Sequence, residues 1–202
     1  MIKFTMKLQD GTKQKISSKS SWNELNYNDL IKIENESSLN PLSLFSILTG
    51  VKFDEVANSK DEKLIQILSD VTGFIYKTPD WKDIPCPDKI LIGDKLYKVP
   101  TDINDITIGQ KILLSQLVSN KNLIEIIPRA VAIMMIKPIL GKLNPETFEE
   151  IDQVEQKILK SSALQIYGAG QYFFLNSPIL SSIGKQSLIM YQKSQRKTGS
   201  LN

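Results

Sequence analysis

Residues 21–33 read SWNELNYNDLIKI, and the chain writes a variant of that stretch again as DINDITIGQKILL at residues 102–114. Ile103 stands where Trp22 stands, an offset of 81 (103 minus 22). At that offset Asn23 meets Asn104, Glu24 meets Asp105, Leu25 meets Ile106, Tyr27 meets Ile108 and Ile31 meets Ile112. Both copies are built to start helices. Ser21-x-x-Glu24 has the form of a capping box, in which the first side chain accepts from a freed backbone N–H and the acid three residues on reaches back. Asn26-x-x-Asp29 follows as a second cap, and the later copy repeats the pair as Asp102-x-x-Asp105 and Thr107-x-x-Gln110. The spacing predicts a short helical turn and then a longer helix, with Trp22, Leu25 and Tyr27 pointing into a core.

The neighbouring segments repeat as well. An extended segment precedes each copy, at residues 2–16 and 90–99, and each carries a hairpin turn pair, Asp10-Gly11 and Gly93-Asp94. An apolar helix follows each copy, at residues 42–51 and 123–136. The order hairpin, capped turn, helix, helix therefore occurs twice, which reads as an internal duplication. The expected fold is mainly α with small β-hairpins, an α+β chain of two similar modules. These fall at residues 1–76 and 90–191, separated by a proline-rich linker at 77–89 and followed by a flexible basic tail at 192–202.

Further helix starts lie between and beyond the copies. Asn40-Pro41 and Asn144-Pro145-Glu146 each place a cap before a proline at the first helical position. Ser59-x-x-Glu62 has the capping-box form and opens an apolar stripe at helical spacing through Phe74 and Ile75. In the helix predicted over 148–159, Glu149, Glu150, Asp152 and Glu155 form a solvated acidic face rather than a metal site. Arg129, the one mid-helix charge of its apolar helix, stands four residues after Glu125, the spacing of a helix-surface pair. Gly168-Ala169-Gly170 lacks the leading strand and following Lys-Ser of a phosphate loop, so close helix packing accounts for it better. A last apolar segment is expected at 179–191.

Composition narrows the function. The 202 residues include no His, which removes the commonest general base and metal ligand. The single cysteine, Cys86, sits between two prolines; one cysteine forms no intrachain disulfide and no His is present to activate it. No catalytic, cofactor-binding or metal-binding residues are assigned, and no enzyme activity is expected. The start, MIKFTMKLQDG, is polar and alternating rather than signal-like, and the apolar run at 123–140 is broken by charges and prolines, so no membrane span is expected. The net charge of +3 does not by itself argue for nucleic acid. Lys3, Lys7, Lys13 and Lys15 on the first hairpin allow such a reading, but no aromatics are interleaved with them.

Aromatic residues are the candidate partner contacts: Trp81 in the linker, and Tyr172, Phe173 and Phe174 in the stretch at 163–175. Large aromatics anchor protein interfaces when exposed and fill cores when buried. For Trp81 the core role is preferred. Lys193, Arg196 and Lys197 in the tail are the candidate basic contacts.

The order KLYKVPTDINDITIGQ, IEIIPRAVAIMM, ALQIYGAGQYFFL resembles small proteins of tailed bacteriophages of Bacteroidetes, including the crAss-like phages. There a hairpin runs into a Thr-x-Gly-Gln helix start, matched here by Thr107-Ile108-Gly109-Gln110. The resemblance covers about the last two-thirds of the chain, and the first half is loosely similar to phage tail-assembly chaperones. It implies a virion or morphogenesis protein that binds other phage structural proteins as a connector, tail or capsid component, assembled in the host cytoplasm, with homo-oligomers as one form. The alternatives are a chaperone absent from the mature particle, or a nucleic-acid-associated protein contacting packaged DNA. No functional residue carries over from that resemblance.

Overall fold

The computed structural model describes residues 1–176 apart from residues 9, 37, 101, 118–121 and 138–143. The chain divides into two units: Met1–Ile84 with Ser162–Leu164, and Pro85–Ser161 with the residues that follow Leu164. Helices dominate both, and each holds one antiparallel two-stranded sheet among its described residues.

The first unit opens with β1 (Ile2–Lys7) and β2 (Lys13–Ser18), paired from Ile2 opposite Ser18 to Lys7 opposite Lys13. Gly11 supplies the left-handed backbone of the turn, at φ +86°. The Asp10 carboxylate accepts from the Thr12 N–H at 2.8 Å and the Thr12 hydroxyl at 2.7 Å. Alternation then sorts the faces: Met6 and Ile16 are buried and Phe4 half-buried, while Lys3, Lys7, Lys13 and Lys15 stay exposed. A one-turn 3-10 helix (Trp22–Glu24) leads to α1 (Tyr27–Glu34), α2 (Pro41–Thr49), α3 (Phe53–Ala57) and α4 (Leu64–Thr72). The second cap forms as its sequence demands: Asn26 accepts from the Asp29 N–H at 2.9 Å, and Asp29 accepts from the Asn26 N–H at 3.0 Å. Asn40 caps α2, Pro41 holds its first position, and Gly50 ends it at φ +76°. α2 is the centre of the unit, with α1, α3, α4 and β2 packed on it.

Two expected capping boxes do not form. Ser21 makes no side-chain cap bond; Glu24 instead accepts from the backbone N–H of Ser20 at 2.7 Å and pairs with the amino group of Met1. That ammonium, the largest cause, holds the Glu24 carboxyl down to about 2. Nor does Ser59 cap α4, which begins only at Leu64 without a side-chain cap. The Ser59 hydroxyl donates to the Lys7 carbonyl at 2.7 Å. At Glu24 a partner distant in sequence engages the acid of the box, whereas the Ser59 oxygen accepts from the Asp61 N–H at 3.2 Å, in a turn that ends before α4 begins. The short helix α3 also falls where the sequence pattern marks none.

The second unit repeats the order. β3 (Lys89–Ile92) and β4 (Lys95–Lys98) pair around Gly93, at φ +60°. A 3-10 turn (Ile103–Asp105) precedes α5 (Ile108–Gln116), α6 (Leu123–Met135), α7 (Pro145–Ile158) and α8 (Ala163–Asn176), whose first two residues belong to the first unit. Asp102 with Asp105, and Thr107 with Gln110, form reciprocal capping boxes. The central helix here is α6, the counterpart in order of α2, with α5 and α7 packed on it. It is buried along almost its whole length.

Three side chains show how α6 is held. Gln110 is buried, and its amide donates to the Ile133 carbonyl at 2.8 Å. That carbonyl lies in the last turn of α6, where backbone acceptors have no intrahelical donor. Arg129 does not pair with Glu125; it reaches across to α7, to Asp152 and, at 2.7 Å, to Glu155. The i, i+4 spacing offered a partner on the same helix, but α7 brings two carboxylates closer. Gly170 lies against Ile127 so tightly that an added Cβ would sit 2.6 Å from the isoleucine Cγ2, so close packing is what the small residues of α8 serve.

Candidate interaction surfaces

The aromatic candidates divide by burial. Trp81 is only 8% exposed and belongs to the first unit. Its ring stands edge-on to Trp22 at 5.3 Å between centroids, and Trp22 stands edge-on to Phe74 at 5.8 Å. The Trp22 indole N–H donates to the carbonyls of Phe74 and Lys77, at 3.2 and 3.1 Å. Trp81 is thus part of a core cluster drawn from three places in the sequence. Phe173 and Phe174 are buried, edge-on to each other at 6.4 Å, and Tyr172 is half-buried. As partner anchors Phe173 and Phe174 are therefore corrected, since both are buried, while Trp81 takes the core place preferred for it. Lys193, Arg196, Lys197 and the apolar segment at 179–191 lie outside the described residues.

The exposed apolar side chains are elsewhere. In the second unit Leu91 and Leu96 are direct cross-strand partners on the outer face of the β3–β4 hairpin, and both are more than half exposed. Ile108 and Ile112 stand one turn apart on α5, at 75% and 48% exposure. Single exposed leucines are ordinary on protein surfaces. Each of these pairs sets two apolar side chains next to one another, apolar area of the sort that partners cover.

The first unit shows what covering looks like. Ser162 bridges antiparallel to Asn26, and the Ala163 N–H donates to the Leu25 carbonyl at 2.9 Å. The segment Ser162–Leu164 so lies along the entry to α1, where Leu25 and Tyr27 are fully buried. The equivalent entry to α5 is Ile106–Thr107. Among the described residues no bridge is made there, and Ile108, the counterpart of Tyr27, faces outward. Ile106 is itself buried, so the turn is packed on one side while Ile108 beside it is exposed.

These surfaces escaped the sequence pattern for identifiable reasons. Ile90-Leu91-Ile92 is a continuous apolar run, which does not say which face is outward. Ile108 matches Tyr27 in position but not in surroundings. A possible signal was the cross-strand placing of Leu91 and Leu96 about Gly93-Asp94.

Chemistry-bearing groups are few. Burial, then the charge of Asp88, pushes the Cys86 thiol above its usual range, the opposite of the shift that activates a cysteine. Among the described residues no group of three His, Cys, Asp or Glu side chains could hold a metal ion, and no helix is long and apolar enough to cross a membrane. No protein-family model, curated protein or solved structure matches this chain.

Proposed function

We propose that this chain is a non-enzymatic bacteriophage structural or assembly protein that binds other virion proteins. The resemblance of residues 95–110, 124–135 and 163–175 to small proteins of tailed phages supports the setting. The observation that carries the binding is the entry to α5, where Ile108 is exposed and no described segment covers it. A segment of this same chain covers the matching place in the first unit. An extended partner segment laid along Ile106–Thr107 would repeat that contact and cover Ile108 and Ile112, with main-chain hydrogen bonds giving affinity and the isoleucines giving specificity. Leu91 and Leu96 supply a second apolar anchor in the same unit.

Mass spectrometry of purified particles of the phage that carries the gene tests the setting. A fixed stoichiometry in the particle supports a virion component, presence only in assembly intermediates makes it a chaperone, and absence from both refutes the proposal. The surface is tested in the same particles with Ile108→Ser and Ile112→Ser together. Exposed substitutions of this kind shift stability by no more than about 0.5 kcal/mol, so melting is expected to stay near wild type while incorporation falls. Unchanged incorporation would exclude this face.

A further inference from the structure

The first hairpin turns its lysines to one side. Lys3, Thr5 and Lys7 of β1 share a face with their cross-strand partners Ser17, Lys15 and Lys13. Lys7 stands directly opposite Lys13, and Lys15 is diagonal to both Lys3 and Lys7. Like charges facing one another across strands repel, and among the described residues none of these four ammonium groups is in an ion pair. All four are exposed.

The loop before α4 adds to this face through a fixed contact. The Lys7 N–H donates to Asp61 Oδ2 at 3.0 Å, the Lys63 N–H donates to Asp61 Oδ1 at 2.9 Å, and the Ser59 hydroxyl holds the Lys7 carbonyl. The loop is thereby clamped to the end of β1. Between them lies a concavity of about 410 Å³, lined by Thr5, Lys7 and Lys13 from the hairpin and by residues 60–63 from the loop. Residues 60–63 bring Lys60 and Lys63, and the carboxylates of Asp61 and Glu62. Asp61 is engaged by its two backbone donors and keeps its charge, so six lysines surround the concavity and its adjoining face against the two carboxylates of its lining.

We propose that this face is a binding site for the phosphodiester backbone of nucleic acid, without sequence preference. Ammonium groups are point charges that suit phosphates, and they lack the fork by which a guanidinium reads carboxylates or base edges. The strand face carries no aromatic or aliphatic anchor of the kind that holds a protein partner. A twisted two-stranded ribbon also has the dimensions to lie in a major groove. The site is in the first unit and is independent of the protein-binding face proposed for the second.

The test is fluorescence anisotropy of the full chain with a labelled random-sequence DNA duplex across a salt series. The wild type is expected to bind and to weaken steeply as salt rises. Each phosphate contact contributes about 0.9 to the slope of log K against log salt. Lys7→Glu, Lys13→Glu and Lys63→Glu together are expected to weaken binding at least about tenfold and flatten the slope by about 3. The matching Lys→Arg set keeps the affinity, and a Lys→Gln set replaces the reversed one should that not fold. The Lys→Gln set removes the like-charge pair without replacing it, so with that set hairpin stability is expected to hold or rise while binding falls. The comparison is repeated with Lys193→Gln, Arg196→Gln and Lys197→Gln in the background, which isolates the hairpin from the tail. Failure of the wild type to bind, equal binding by the reversed variant, or tighter binding to a polyglutamate peptide than to the duplex would each overturn the proposal.

Discussion

The two capped helix entries are the same device set to different uses. At Asn26–Asp29 and at Thr107–Gln110 the cap and the third helical residue exchange hydrogen bonds in the same way. Beyond the cap they diverge. Asp29 spends its remaining capacity on the ammonium of Lys19, a group one-quarter exposed. Gln110, buried, reaches instead to the last turn of α6. Tyr27, first in its helix, is fully buried, whereas Ile108 at the same place is three-quarters exposed. A local motif therefore fixes where a helix starts and leaves open what the helix is for. In the first unit the entry is closed by the chain itself; in the second no described segment covers it.

The largest effect expected from that contrast is at its first pair. Tyr27→Ala removes a fully buried ring, and truncations of this type cost about 3–5 kcal/mol. Ile108→Ala at the equivalent position is expected to change stability by about 0.5 kcal/mol or less. Urea unfolding of the two variants checks both, and similar losses would break the comparison. The next effect is an exchange of acid and amide at the third helical position. Gln110→Glu keeps the cap but sets a buried carboxylate against the Ile133 carbonyl, at a cost of about 3 kcal/mol near neutral pH. The introduced acid has its folded pKa raised, so the loss should shrink as pH falls and a protonated carboxyl donates to Ile133. Asp29→Asn retains an acceptor for the Asn26 N–H and loses only the partly exposed pair with Lys19, for about 1 kcal/mol or less. Equal costs for the two exchanges would mean that the Gln110 bridge to α6 carries no weight.

What was legible in the sequence follows the range of the forces. The hairpins, the paired caps and the order of the helices were readable, since turn glycines, cap residues and apolar periodicity act within a few positions. The small residues at Gly168-Ala169-Gly170 also told truly of close packing, because so few side chains allow it. The failures were at groups with distant competitors. Glu24 had the right spacing for a local cap and was taken by the chain's amino group, and Ser59 accepts from the Asp61 N–H while donating to β1. Arg129 had Glu125 at the right spacing and found α7. The core place of Trp81 was preferred from the sequence, but its partners Trp22 and Phe74 were not legible, since no local pattern connects them to it. The candidate surfaces were hidden for the same reason, since exposure is decided by what else arrives. Lys60 and Lys63 join the hairpin lysines only because Asp61 and Ser59 clamp their loop there.

The smallest effect concerns that clamp, which has no counterpart at the second hairpin among the described residues. The backbone N–H of Lys63, then that of Lys7, holds the Asp61 carboxyl below its ordinary value of 3.8. A depressed folded pKa means that the charged form favours the folded state. The contribution is therefore complete above about pH 4 and disappears as pH falls through the folded value. Asp61→Asn keeps an acceptor but not the charge, so its melting temperature should lie slightly below wild type at neutral pH. The two should converge under acid conditions. Asp61→Ala removes both acceptors and is expected to free the loop, so amide exchange at Lys7 and Lys63 should quicken while that of Ile90 and Ile92 in the second hairpin stays unchanged. A gap between wild type and Asp61→Asn that persists in acid would show that geometry, not charge, holds the loop against β1, and the lysines of the concavity would then be gathered by shape alone.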